Sequence, residues 1–187
     1  MKKRLDPRAL VLPMPVLVIA TYNGDGTPNA MVATQAGAAG DDLLAVELSD
    51  RLTTENLAQR GALTVSFATE VLATASDYLG LVSGRDVPDK VARAGLHAET
   101  STVVDAPVLV EYPLTLECEV VSLTPELGAH RLLARVVGVL ADGDALDAEE
   151  RVDAARVAPV VYDQAARSYR AVGQPVAAAF SAGEALR

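Results

Sequence analysis

The chain has 187 residues, half of them hydrophobic, with five Tyr, two Phe and no Trp. That is enough for one aliphatic core and too apolar for a disordered chain. The formal net charge of -9 argues against a nucleic-acid or anionic-membrane partner, because phosphate surfaces attract basic faces.

Cys118 is the single cysteine, so no intrachain disulfide can form and a reducing compartment is expected. Met1-Lys2-Lys3-Arg4 and the apolar run from Ala9 to Ala20 superficially resemble a signal peptide. Pro13 and Pro15 interrupt that run, and no small-x-small cleavage site follows. The run is also shorter than the roughly 18 apolar residues a membrane span needs. The expectation is a cytoplasmic protein.

Val16–Tyr22 is β-rich and reads as a buried strand. Asn23-Gly24-Asp25-Gly26 is a strong hairpin signal, with Thr27–Thr34 as the return strand and Pro28 at its start. Gly37–Asp42 turns into a strand at Leu43–Leu48, so the first fifty residues read as a three-stranded antiparallel meander. A short helix to about Arg60 and a strand at Ala62–Ala68 follow. Val71–Val82 has helical spacing, with Val71, Leu72, Ala75, Leu79 and Val82 on its apolar side. Pro88 opens a shorter helix that turns Val91 and Ala94 inward and stops at Gly95. Pro107–Leu123 reads as a long strand with Leu114, Leu116, Cys118 and Val120 on one face and Thr115, Glu117 and Glu119 on the other. After a turn at Thr124–Ala129, His130–Ala141 returns beside it, and Glu117 or Glu119 could face Arg131 or Arg135. Ala148–Val157 reads as helix and Tyr162–Gln174 as irregular. The sum is a mainly β, antiparallel barrel with flanking helices in one domain.

The stretch Glu47–Leu57 concentrates polar chemistry at a strand-to-helix junction: Ser49, Arg51, Thr53, Thr54 and Asn56. A helix N-terminus presents free N–H groups and the positive end of the dipole, which suits a phosphate. Arg51 adds a permanently charged planar fork. The plainer structure is a helix capped by Asp50 or Thr53 with Arg51 solvated, and these residues alone favour it.

Other motifs fail on context. Gly24-Asp25-Gly26 lacks the third Gly and following helix of a dinucleotide fingerprint. There is no Gly-rich loop ending in Gly-Lys-Ser/Thr and no Gly-x-Ser-x-Gly elbow. His97, His130 and Cys118 are too few and too dispersed for a zinc site. Asp41-Asp42 and Glu149-Glu150 read as surface acids, and Cys118 as a buried structural thiol.

A second polar cluster runs from Asp77 through Gly80 and Ser83-Gly84-Arg85-Asp86 to Lys90. It is either a helix stop with a local Arg–Asp pair or an arm closing over an anion. Four pieces now stand in order: Pro28-Asn29-Ala30 after the first turn, the Ser49–Leu57 junction, this cluster, and Gly128-Ala129-His130 before a strand. Together they resemble the flavin reductase-like family, in its flavoredoxin branch, over roughly Pro13 to Ala141. The resemblance implies an FMN-binding split β-barrel, mainly antiparallel, with residues 142–187 as a C-terminal extension of one 1–187 domain. It implies a homodimer with FMN near the interface. Asn29, Ala30 and Thr34 would lie along the flavin ring. Ser49, Arg51, Thr53, Thr54 and Asn56 would hold the ribityl chain and phosphate. Ser83 and Lys90 would approach from the second arm. His130 would lie near the ring or nicotinamide, as the one candidate catalytic residue; otherwise it is a water-exposed hairpin end. Asp50 stands where the family often has Pro, and Tyr78 where Cys is common. Met31–Ala36 offers fewer side-chain donors than the family usually places there.

The resemblance further implies a cytoplasmic oxidoreductase that moves hydride from NADH or NADPH to flavin, and electrons on to free flavin or a small acceptor. Two alternatives stand beside it: a flavoprotein electron carrier serving a redox protein partner, and a split-barrel dimer without flavin.

Overall fold

The computed structural model describes residues 1–187, the side chain of Ala185 excepted. Its strands follow the apolar runs. In chain order they are β1 (Met14–Pro15), β2 (Leu17–Tyr22), β3 (Pro28–Ala33), β4 (Ala36–Ala38), β5 (Leu43–Ser49), β6 (Ala62–Phe67), β7 (Ala98–Thr100), β8 (Pro107–Leu109), β9 (Leu114–Glu126), β10 (Ala129–Ala141), β11 (Val160–Asp163) and β12 (Ser168–Ala171). The helices are α1 (Leu52–Arg60), α2 (Ala73–Leu81), α3 (Lys90–Arg93) and α4 (Ala154–Val157), with 3-10 turns at Gly143–Ala145 and Ala182–Leu186. No helix among the described residues is long and apolar enough to cross a membrane.

Seven strands form one curled antiparallel sheet in the order β3-β2-β6-β9-β10-β5-β4, a split half-barrel. β2 explains the layering. Leu17 and Ile19 point into the barrel beside Met31, Leu63, Val65, Cys118 and Leu132. Val16, Val18 and Ala20 point outward beneath Leu79, Val91, Leu109 and Tyr112. A strand buried on both faces needs a continuous apolar run, which is what Val16–Ala20 supplies. Each of these fully buried aliphatic side chains contributes roughly 1.5–3 kcal/mol. β9 and β10 are 13 residues each, and register shifts at Leu133/Ala134 and Val136/Gly138 bend them around the barrel.

Several expectations are revised. β2 and β3 do form the hairpin, but β5 is not its third strand: it pairs with β10 and β4 at the far end of the sheet. Local turn chemistry specifies the β2–β3 hairpin, whereas the partner of β5 lies about eighty residues on. Val71 is exposed, and α2 starts two residues later than its periodicity suggests. The long strand is interrupted between Leu109 and Leu114. Its turn is shorter than expected, just Leu127-Gly128, both at positive φ (50° and 83°).

Glu117 is 2% exposed, not on a wet face, because the Ser101–Ala106 segment covers that side of β9. It accepts a hydrogen bond from Ser101 Oγ at 2.5 Å. Glu119 does stand opposite Arg135 in the β9–β10 register, but the ion pair of Arg135 is with Asp42, and Arg131 pairs with Glu47 and Glu126. Ala148–Val157 is helical only from Ala154. Tyr162–Gln174 is not irregular: it contains most of the β11–β12 hairpin, which pairs with β1 in a second small sheet.

Candidate functional site

The junction between β5 and α1 is built by Thr54. Its hydroxyl donates to the Arg51 carbonyl at 2.6 Å and accepts from the Arg51 N–H at 3.1 Å. Thr54 N–H also donates to the Arg51 carbonyl, at 3.0 Å. The helix is therefore capped from inside, by neither Asp50 nor Thr53. The N–H groups of Leu52 and Thr53 keep no protein acceptor among the described hydrogen bonds.

Leu52 and Thr53 line a slot together with Asn29, Met31 and Val32 of β3, Ser49 and Arg51 of the junction, and the end of α2 with Ser83, Gly84 and Lys90. Asp50, the acid within that junction, does not line it. The slot holds about 40 Å³, room for a group the size of a phosphate and not for a ring system. Gly80 lets β3 and α2 close on each other, since a Cβ there would sit 3.3 Å from Val32. At Gly84 a Cβ would strike Asn29 Oδ1.

The electrostatics are one-sided. Arg51 is half-buried and has no ion-pair partner among the described residues. Lys90 is 3% exposed, and its Nζ donates to the carbonyls of Leu79 and Val82 at 3.1 and 3.0 Å. An ammonium has three N–H groups, so one stays available. Burial, with Arg51 adding repulsion, pulls the Lys90 ammonium down to about 8. No carboxylate lines the slot. The negative charge of Asp50 is turned away, toward Arg85 at 3.6 Å, and Glu55 pairs with the same guanidinium. Arg85 is thus neither the local partner of Asp86 nor a wall of the slot.

One buried group points to a missing partner. Asn29 is 2% exposed; its Nδ2 donates to Thr53 Oγ1 at 2.8 Å, while its Oδ1 accepts nothing. A buried amide oxygen without a donor is uncommon and costs stability unless something else supplies one. Two cations and free helix N–H groups are donors that fit the phosphate of FMN, the orphaned amide oxygen is an acceptor that fits one of the adjoining hydroxyls, and no acid opposes them.

Of the sequence-derived site residues, Asn29, Ser49, Arg51, Thr53, Ser83 and Lys90 meet at this slot. Thr54 is used by the cap. Asn56 is used by the fold: its Nδ2 donates to Thr21 Oγ1 and Asn23 Oδ1. The Ala30 side chain is buried in the outer core. Thr34 lies past the end of β3, at a second pocket. His130 opens β10 opposite Leu48, next to the Ala129–Ser49 pair, and does not line the slot. It is half-buried with Nδ1 enclosed and without a partner, so it is not a water-exposed hairpin end. Gly80, Leu79, Val82 and Leu52 line the slot without having been singled out as site residues. Gly80 alone carried a signal, a glycine inside a helix pattern, where it costs stability unless close packing requires it.

The flavin reductase-like domain model matches residues 9–173. No curated protein matches the chain. Among solved structures, flavoredoxin of Desulfovibrio vulgaris (Miyazaki F) superposes with a TM-score of 0.93 at 33% identity, covering 98% of this chain and all of that one. Flavoredoxin from Methanosarcina acetivorans gives 0.91 at 23% identity with both chains fully covered. Nitrilotriacetate monooxygenase component B from Bacillus cereus gives 0.80 at 19%, covering 90% and 89%, and shares the fold. On the family match and the flavoredoxin likeness together, the chain belongs to the flavin reductase-like family.

Proposed function

We propose that this protein is an FMN-dependent oxidoreductase of the flavin reductase type, one cytoplasmic domain acting as a homodimer. The observation that carries the reading is the slot: two cations, Arg51 and Lys90, beside a helix N-terminus and the unpartnered Asn29 Oδ1, with no acid in the lining. Arg51 and the Leu52 and Thr53 amides would bind the phosphate. Ser49, Thr53 and Ser83 would take the ribityl hydroxyls, and Asn29 would orient the chain through its free oxygen. The slot holds no more than the phosphate end, so the ring would extend over the outer face of β3, where Val32 offers an apolar contact. Bound flavin would supply the redox chemistry, taking hydride from NADH or NADPH and passing electrons to free flavin or a small acceptor. His130, near Ser49 at the start of β10, is the side chain proposed to approach the ring. A second copy would cover the open side of the ring.

A second reading is an electron carrier serving a redox protein. The 33% identity to a flavoredoxin favours it, and so does the charge of -9, which suits a basic partner.

The deciding experiment is an anaerobic visible spectrum with FMN, then NADH or NADPH. Bleaching within seconds supports the reductase; flavin bands untouched by either nicotinamide leave the carrier. Arg51→Ala tests the slot itself. Losing a charge-assisted contact costs roughly 1.5–3 kcal/mol, so the FMN Kd should rise about 10- to 100-fold. An unchanged Kd would remove Arg51 from the site.

A further inference from the structure

The half-barrel has an apolar opening at the end away from the slot. β5 runs from one to the other: Leu44 lines the opening and Ser49 the slot, about 17 Å apart along the strand. The opening holds about 410 Å³ and is walled by Leu17, Phe67, Leu116, Val136 and Val139. Val139 is 56% exposed. A contiguous apolar concavity left to water marks a place where something binds.

β4 runs along one side of this opening, with Ala36, Gly37 and Ala38 in its lining. It is the last strand of the sheet and is bonded to β5 alone. The Glu47 N–H donates to the Gln35 carbonyl and the Ala39 N–H to the Leu43 carbonyl, at 2.8 Å each. Bonded and non-bonded pairs alternate in an antiparallel ladder, so the peptide groups of Ala36 and Ala38 point out of the sheet. An Ala-Gly-Ala edge has no bulky or charged side chain to blunt it, and it is open to one more extended segment.

The rim is acidic. Asp41 and Asp42 line the opening, and no Lys or Arg does. Arg135 pairs with Asp42 at 2.7 Å, which leaves the Asp41 carboxylate as the uncompensated charge. The same chain carries a segment of the matching kind. Residues 1–12 hold Lys2, Lys3, Arg4 and Arg8 against the single acid Asp6, in a chain whose net charge is -9. Ala9-Leu10-Val11-Leu12 follows, and its large side chains lie in water: Leu10, Val11 and Leu12 are 42%, 59% and 52% exposed. In an extended segment Leu10 and Leu12 share one face. Within one copy this arm stays off the opening, to which Pro15 is the nearest contributor from that end of the chain. Met14 and Pro15 are fixed in β1 against Tyr162 and Val161, and Pro13 stiffens the link before them.

We infer that the Arg8–Leu12 arm of a second copy seats in this opening as an added strand, with its main chain along β4, Leu10 and Leu12 in the cavity and Arg8 beside Asp41. The inference rests on the homodimer of the proposed function and adds the element that clasps it, at the barrel end remote from the phosphate slot. It does not depend on flavin.

The test mixes methyl-labelled and unlabelled full-length protein and reads isotope-filtered NOEs. Cross-copy NOEs should join the Leu10 and Leu12 methyls to Phe67 and Val139. Hydrogen exchange adds the charge test. Arg8→Glu should speed exchange of the Leu10–Leu12 amides at least fivefold, the effect of losing one exposed ion pair, and adding Asp41→Arg should restore their protection. Arg8 and Asp41 are both exposed, so the reversals leave the core untouched. The inference is overturned if these NOEs are absent, if they arise only within one copy, which would make the arm its own chain's cover, or if Asp41→Arg fails to rescue Arg8→Glu. Sedimentation at the same concentration separates the two readings. A monomer removes the homodimer and the clasp together, whereas a dimer without the NOEs removes the clasp alone. FMN binding is read separately, from the visible spectrum.

Discussion

Lys90→Met should stabilise the ligand-free protein at neutral pH and destabilise it at high pH. The Lys90 ammonium is held at about 8 by burial and by Arg51, against 10.5 for a free lysine. That depression amounts to about 3 kcal/mol of stability lost at pH 7 by burying the charged form. Between pH 8 and 10.5 the unfolded chain holds a proton that the folded chain has released. The unfolded state binds more protons there, so wild-type stability rises with pH across that window. Methionine fills similar volume without charge. It also removes the donor to the Leu79 and Val82 carbonyls, at about 1 kcal/mol each. The balance is a gain of about 1 kcal/mol at pH 7, a loss of about 2 kcal/mol at pH 10.5, and a crossing near pH 9. The chain has just two other lysines, Lys2 and Lys3, both exposed and common to both proteins, so their titration cancels in the comparison. Urea unfolding at several pH values measures the difference directly. A stability difference that stays constant from pH 7 to 10.5 would refute the account of Lys90 as a buried, partly strained cation. If the slot holds a phosphate, the same variant should also bind FMN more weakly at pH 7, which separates a functional charge from a merely costly one.

Gly84→Ala would push a Cβ into Asn29 Oδ1 and within 3.0 Å of Leu52. It should cost about 1–3 kcal/mol in urea unfolding and weaken FMN binding as well, because the slot itself is displaced. An unchanged unfolding midpoint would contradict the close approach. The Cys118 thiol is fully buried and pushed up to about 12, chiefly by burial with Glu117 nearby. Iodoacetamide at pH 8 should therefore leave native Cys118 unlabelled over an hour and label it completely in urea, read by mass spectrometry. Rapid labelling of the folded protein would mean that the barrel interior opens.

The β2–β3 hairpin was legible because its instructions are local: an apolar run, an Asn-Gly-Asp-Gly turn and a proline placed where its missing donor is harmless. α1 and its polar N-terminal turn were legible for the same reason. The true partner of β5 was not, because sheet neighbours separated by some eighty residues leave no mark on a single strand. The β11–β12 hairpin escaped notice for a related reason: its strands are four residues each and gain their stability from β1, at the other end of the chain. Glu117 shows the limit of alternation, since a period of two names the faces of a strand without saying what covers them.

Ser49, Arg51 and Thr53 could be read as a phosphate site from residue type and order, though those residues alone favour a plain capped helix, and Asn29 enters only through the family resemblance, as a neighbour of the ring. Two facts that make the proposal chemically coherent are tertiary. Asp50 is drawn off by Arg85, thirty-five positions away, and Lys90 is delivered to the same slot by the end of α2. Residue order and short-range chemistry determined the strands, the capped helix and the set of polar groups at its start. Long-range packing decided which of those groups share one low-dielectric slot, because charge and burial act through space, where β3, α1 and α2 meet.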